Sequence, residues 1–149
     1  MTELKIVEKR WSKDLEKPIY EAWKKSNRYA FDKSNNKKVF SIDTPPPYVN
    51  TPVHIGHATT YIIMDFIARF KRMMGQNVLF PLGLDRNGLP IEMAAEKKFN
   101  VRLTEVSRDK AVDYCEKILE ESSLASVDSF LRSGISFNSW NLGDEPGAL

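Results

Sequence analysis

The sequence predicts an α/β fold of short parallel strands with flanking helices and an N-terminal helical arm. Three observations predict it. Two short β-rich runs, Val39-Phe40-Ser41-Ile42-Asp43 and Asn77-Val78-Leu79-Phe80-Pro81-Leu82, are separated by a long amphipathic stretch from Ala58 to Met74. Each run ends at prolines, which cannot continue a strand ladder. A strand, loop, helix and second strand in that order form a crossover unit, whose strands lie parallel with a right-handed connection.

Residues 1–37 form the arm. Leu15, Ile19 and Ala22-Trp23 recur at helical spacing between Ser12 and Ser26, with Pro18 as an alternative starting point. Asp32 to Lys38 is polar and turn-forming. The second unit, residues 38–138, opens with the first strand and the stiff Thr44-Pro45-Pro46-Pro47 loop. In the following helix Ile62, Ile63, Phe66, Ile67, Phe70 and Met73 form one apolar face, while Asp65, Arg69, Lys71 and Arg72 lie mostly elsewhere. Gly75 suits a helix end, since a left-handed residue is favoured there. Pro90 to Phe99 reads as a third helix and Ser107 to Arg132 as a fourth, with Ser107 as its N-cap and Gly134 as its stop. Residues 139–149 are expected to be a poorly ordered tail.

Composition narrows the class without naming a chemistry. Of 149 residues, 42% are hydrophobic and 28% charged, as in globular proteins. Twenty-two Lys and Arg against 20 Asp and Glu leave a formal charge of +2, too little to hold nucleic acid by bulk attraction. No apolar run approaches the roughly 20 residues of a membrane span, and the N-terminus lacks a secretory apolar stretch. The single cysteine, Cys115, excludes an internal disulfide and a multi-cysteine metal site, and no metal ligands are assigned. A reducing, cytoplasmic setting is expected.

Both histidines of the chain fall in His54-Ile55-Gly56-His57, at the junction between the first strand's loop and the next helix. Such junctions bind phosphates in α/β folds, because free helix amides present partial positive charge to an anion. Gly56 permits close approach to the backbone, and two imidazoles there are able to donate to phosphate oxygens. The competing interpretation is a pair of ordinary surface histidines. Asp85 is either a ligand at the end of a parallel strand or a turn residue before Asn87-Gly88. Cys115 reads as core, Arg69-Lys71-Arg72 as a solvated helix face, and Trp11, Trp23 and Trp140 as packing anchors.

His54-Ile55-Gly56-His57 resembles the signature tetrapeptide of class I aminoacyl-tRNA synthetases. Ile42-Asp43-Thr44-Pro45-Pro46-Pro47 before it, Asp65 to Met73 after it, and Gly83 to Glu92 resemble the valyl, isoleucyl and leucyl branch, and the valyl enzymes most. Trp11, Leu15-Glu16, Ile19-Tyr20, Trp23 and Tyr29 to Asp32 resemble the N-terminal arm of that enzyme, so the likeness covers nearly the whole chain. Tyr48-Val49-Asn50 is nearer to isoleucyl and methionyl enzymes, Thr51 stands where glycine is common, and Leu84 replaces a frequent tryptophan. Leucyl enzymes usually carry His at the Asp85 position.

The resemblance implies the first half of a Rossmann-like nucleotide-binding fold. It implies that His54 and His57 contact the triphosphate of ATP, brought with Mg2+ as substrate, and stabilise the α-phosphorus transition state, with Gly56 under the adenine. Asp85 would hold the valine ammonium, Pro46 and Pro47 would wall the side-chain pocket, and Asn50 would help orient the substrate. The full enzyme would form valyl-adenylate and transfer valine to tRNA(Val). The Lys-Met-Ser-Lys-Ser loop of the second half has no counterpart here, so the chain is expected to be an N-terminal part, weakly active or inactive alone, with a complementary second-half polypeptide as partner. An isoleucyl or leucyl fragment, a non-catalytic nucleotide- or RNA-binding relic, and a small nucleotidylyltransferase are the other readings.

Overall fold

The computed structural model describes residues 10–50 and 53–138. Thr51, Trp140 and the 139–149 tail lie outside the described residues.

A short 3-10 turn at Lys13–Leu15 leads into helix α1 (Glu16–Lys25). Pro18 is tolerated because it sits in the first turn, where its missing N–H has no intrahelical partner. No residue of α1 is buried, and Trp11 is exposed rather than a packing anchor. Strand β1 (Val39–Ser41) and strand β2 (Asn77–Leu79) pair in parallel, Val39 with Asn77 and Ser41 with Leu79. The expected crossover is therefore present, formed by helix α2 (Ile55–Met73). Both strands are shorter than their β-rich runs. Beyond Leu79 the chain turns to a different neighbour: Asn138 N donates to Phe80 O at 3.0 Å, and Phe80 N donates to Asn138 Oδ1. Helices α3 (Leu89–Phe99) and α4 (Arg108–Arg132) pack on each other downstream. Ser107 caps α4 by accepting from Lys110 N, and Gly134 adopts φ 69° just past its end. Gly75 likewise takes φ 80° after α2. Among the described residues no helix is long and apolar enough to cross a membrane.

The main core gathers Ile42, Val78, Phe80 and Leu82 of the strand region, Tyr61 and Ala68 of α2, and Val127 and Phe130 of α4. Ile135, Ser136 and Phe137 join them with no exposed surface at all. A second cluster, Val49, Ile91, Ala95 and Ile118, lies between α3, α4 and the loop after the prolines.

Helix α2 leaves most of its apolar face unburied. Its buried side is Tyr61, Asp65 and Ala68, whereas Ile63, Phe66, Ile67, Phe70 and Met73 face solvent. Arg69 and Arg72 are not a solvated face either. Asp65, 6% exposed, accepts from Ser136 N at 2.7 Å, from Ser136 Oγ, and from Arg69 Nε at 2.6 Å. Arg69 also donates to Gly134 O at 2.7 Å and to Tyr29 Oη at 3.2 Å, with its guanidinium over the Trp23 ring. Arg72 donates to Ser136 O at 3.0 Å. Burial opposes the charge of both arginines. The Asp65 carboxylate and the Tyr29 hydroxyl together more than offset this for Arg69, whose pKa is raised, but they do not for Arg72, whose pKa is lowered. A carboxylate buried this way needs its full partner set. The network explains why the charged residues turn inward: they fasten the segment after α4, and through Tyr29 and Trp23 the arm, to one helix.

Candidate active site

The loops that follow the two parallel strands leave the sheet at the same edge, the one where open α/β sheets place their ligands. The first loop carries the prolines and ends at α2; the second carries Asp85. Their backbones run side by side: Asp85 N donates to Pro47 O at 2.9 Å and Val49 N to Asp85 O at 3.4 Å, a parallel bridge between Tyr48 and Asp85. Pro46 packs where a Cβ on Gly83 would sit, 3.3 Å from its own Cβ. Pro46, Pro47 and Asp85 are thus brought together. Asn50 is not: it lines a groove of about 740 Å³ between α3 and α4 with Pro90, Met93 and Lys97, and no other candidate residue borders that groove.

Helix α2 begins three residues earlier than its apolar spacing implies. His54 is the N-cap, and its Nδ1 accepts from Gly56 N at 3.1 Å. Histidine thereby takes a place usually held by Ser, Thr, Asp or Asn. Because Nδ1 accepts, the neutral His54 ring carries its proton on Nε2. The rings of His54 and His57 stack, with centroids 3.9 Å apart and planes 21° from parallel. Gly56 leaves room for this pairing, since a Cβ there would lie 3.0 Å from His54 Cε1 and 3.1 Å from Nδ1, so that the ring would have to shift by a few tenths of an ångström. Gly56→Ala, which elsewhere in a helix gains up to about 1 kcal/mol, is expected to gain nothing, because the displaced ring gives up a cap of about the same worth. Urea unfolding checks this; the full gain would show that ring and backbone are not in contact.

The electrostatics of the head of α2 follow from its residues. Its first turn contains no acidic residue, so the partial positive charge of the helix start is unopposed. Desolvation, and then the neighbouring His54, lower the pKa of His57. His57 is therefore neutral at pH 7, and its Nδ1 is buried with no partner among the described residues. Asp85 uses Oδ1 to accept from Asn87 N at 3.0 Å, the turn role read from the sequence, and Oδ2 has no partner among the described residues.

One residue that the sequence reading passed over joins the prolines to the histidines. Tyr61, one turn after His57 and 3% exposed, donates its hydroxyl to Pro45 O at 2.8 Å. Burial raises its pKa to about 12. Its ring packs on Phe130 and Phe137, centroids 4.8 and 5.9 Å away, so the proline loop hangs from the core. The only sequence signal was its four-residue spacing from His57.

The family model for class I tRNA synthetases (I, L, M and V) matches residues 18–141. The chain is 43% identical over 138 residues to a valine–tRNA ligase of Pyrobaculum aerophilum, covering 91% of this chain and 17% of that protein. It is 38% identical over 137 residues to the valine–tRNA ligase of Wolbachia sp. subsp. Brugia malayi, covering 92% and 16%. Among solved structures it resembles the LeuRS of Agrobacterium radiobacter K84 in a ternary complex with tRNA and LeuAMS, with a TM-score of 0.69, 25% identity, and coverage of 83% of this chain and 14% of that one. The chain thus spans about one-sixth of the length of the curated relatives it matches.

Proposed function

Because the chain belongs to the class I tRNA synthetase family of isoleucyl, leucyl, methionyl and valyl enzymes, we propose that it carries the first part of a valine-activating site. In this reading MgATP and valine are joined to valyl-adenylate, and the whole protein passes valine to tRNA(Val). The observation that carries the reading is the stacked His54–His57 pair at the acid-free start of α2. The triphosphate lies against the helix start. The valine carboxylate attacks the α-phosphorus and pyrophosphate leaves, while negative charge grows on the phosphate oxygens. His54 donates from Nε2 to those oxygens, and neutral His57 donates from its own Nε2, its Nδ1 being buried. Such donors are already in place when charge develops, so no reorganisation is needed in the transition state. The free oxygen of Asp85 receives the valine ammonium. Pro46 and Pro47, which lie beside the loop that carries Asp85, bound the side chain. Asn50 is proposed to act from the α3 side of the loop.

Two measurements test this. In ATP–pyrophosphate exchange with valine, the chain alone is expected to run far below the Pyrobaculum relative; rates equal to that enzyme would contradict a partial site. In calorimetry with valine, isoleucine and leucine, valine is expected to bind most tightly. A preference for isoleucine would move the assignment to that branch of the family, and binding of RNA with no amino-acid binding would make the chain a non-catalytic module.

A further inference from the structure

The loop after β1 has few ways of holding itself in place. Pro45, Pro46 and Pro47 carry no N–H, so only their carbonyls are able to join a hydrogen-bond network. At one end Ile42 N donates to Leu79 O at 2.9 Å, and at the other Pro47 O accepts from Asp85 N at 2.9 Å. Between those points the described residues give the loop backbone one tie, from the Tyr61 hydroxyl to Pro45 O at 2.8 Å. The Thr44 side chain shares a hydrogen bond with the same phenol. Tyr61 itself has little freedom. It is buried, with its ring tilted against Phe130 and edge-on to Phe137. Burial also raises its pKa to about 12, so the hydroxyl remains a donor throughout the neutral range. The peptide plane that contains Pro45 O contains the nitrogen and Cα of Pro46 as well. A tie on that oxygen therefore fixes where the Pro46 ring begins, and Pro46 is exposed to a ligand.

We infer that Tyr61 is a positioning residue that sets which aliphatic side chain the proline wall accepts. The inference rests on the valine-activating reading above, in which Pro46 and Pro47 bound that side chain. Valine and isoleucine differ by one methylene, and an apolar pocket rejects the larger one only where its wall is unable to retreat. In a packed interior such a wall is held by neighbours on every side. Here the wall stands at the surface on a loop without amide donors, and the phenol takes their place. Tyr61 also lies one turn after His57 on α2, so it sets the wall relative to the head of that helix as well as to the core. The hydroxyl is buried behind the loop and donates to it alone, so its effect on a substrate passes through the prolines. With the hydroxyl removed, the wall is free to move back and admit the longer side chain.

Calorimetric titration of valine and of isoleucine into the full 149-residue chain tests this, in the parent and in Tyr61→Phe. The variant keeps the ring contacts and with them the fold. The parent's preference between the two amino acids is expected to fall about 10-fold in Tyr61→Phe, out of the roughly 10- to 200-fold that one methylene supplies. MgATP affinity is expected to stay the same. Ile135→Val, at a fully buried position outside both loops, removes a comparable amount of stability and is expected to leave the preference intact. An unchanged preference in Tyr61→Phe, or an equal fall in Ile135→Val, would overturn the inference. Hydrogen exchange is read in parallel. The Asp85 amide, which donates to Pro47 O, is expected to exchange about 10-fold faster in Tyr61→Phe, while the Ala58 amide of α2 is unaffected. A parent chain that binds neither amino acid sinks the functional reading and the selectivity built on it, and faster exchange at Asp85 then leaves the hold on the loop standing. Equal exchange at Asp85 in both chains removes that hold and overturns the inference, whatever the amino acids do.

Discussion

Replacing Asp65 with Ala is expected to lower the unfolding free energy by about 3–5 kcal/mol, the cost of removing one partner from a buried charged network. The carboxylate does three things at once: it receives Ser136 N and Oγ, and it compensates Arg69. Without it a fully buried serine amide loses its acceptor and two half-buried guanidinium groups face each other uncompensated. Asp65→Asn separates the contributions. It keeps an acceptor for Ser136 but removes the charge, and should fall between Ala and the parent. Urea unfolding, followed by the signal of the aromatic residues, measures both. A loss below 1 kcal/mol for Asp65→Ala would show that the network is incidental.

Tyr61→Ala is expected to cost about 3–5 kcal/mol, as for other large core side chains cut to Ala, and to free the proline loop from the core. Tyr61→Phe keeps the contacts with Phe130 and Phe137 and loses only the bond to Pro45 O, about 1 kcal/mol. The phenol also predicts an alkaline signature. Its pKa is near 10 in the unfolded chain and about 12 when folded, so the folded state holds its proton longer. The resulting stability is complete below pH 10 and is lost as pH rises from 10 through 12, by about 2–3 kcal/mol in total. Unfolding measured across that window should show the slope in the parent and lack it in Tyr61→Phe. The same slope in both would assign it to other groups.

Much of this was legible in the residues. The parallel crossover follows from two β-rich runs and the helix between them, and Ser107 and Gly134 mark the ends of α4 because capping chemistry is local. The start of α2 was harder to see. Its cap is an imidazole and its second residue is Gly56, neither a usual sign of a helix start. The facing of α2 was not legible for a different reason: periodicity locates the most apolar face but not what that face meets. In this chain the core is built on the charged side, because Asp65 must reach Ser136. That acceptor lies in a buried segment of only a few residues, Ile135 to Phe137, too short to show a period. The histidine pair and Asp85 were visible as a motif. The fastening of the proline loop by Tyr61 was not, since nothing in sequence ties a tyrosine to a carbonyl 16 positions away.

The central claim is that the head of α2 receives the phosphates of ATP, and calorimetric titration of MgATP into the chain tests it most directly. The account predicts saturable one-to-one binding. His57→Ala should weaken it about 10-fold or more, as expected for loss of a hydrogen bond to a charged group, while Lys117→Ala, on the exposed side of α4, leaves it unchanged. No binding by the parent chain, or equal affinity in the parent and His57→Ala, would contradict it.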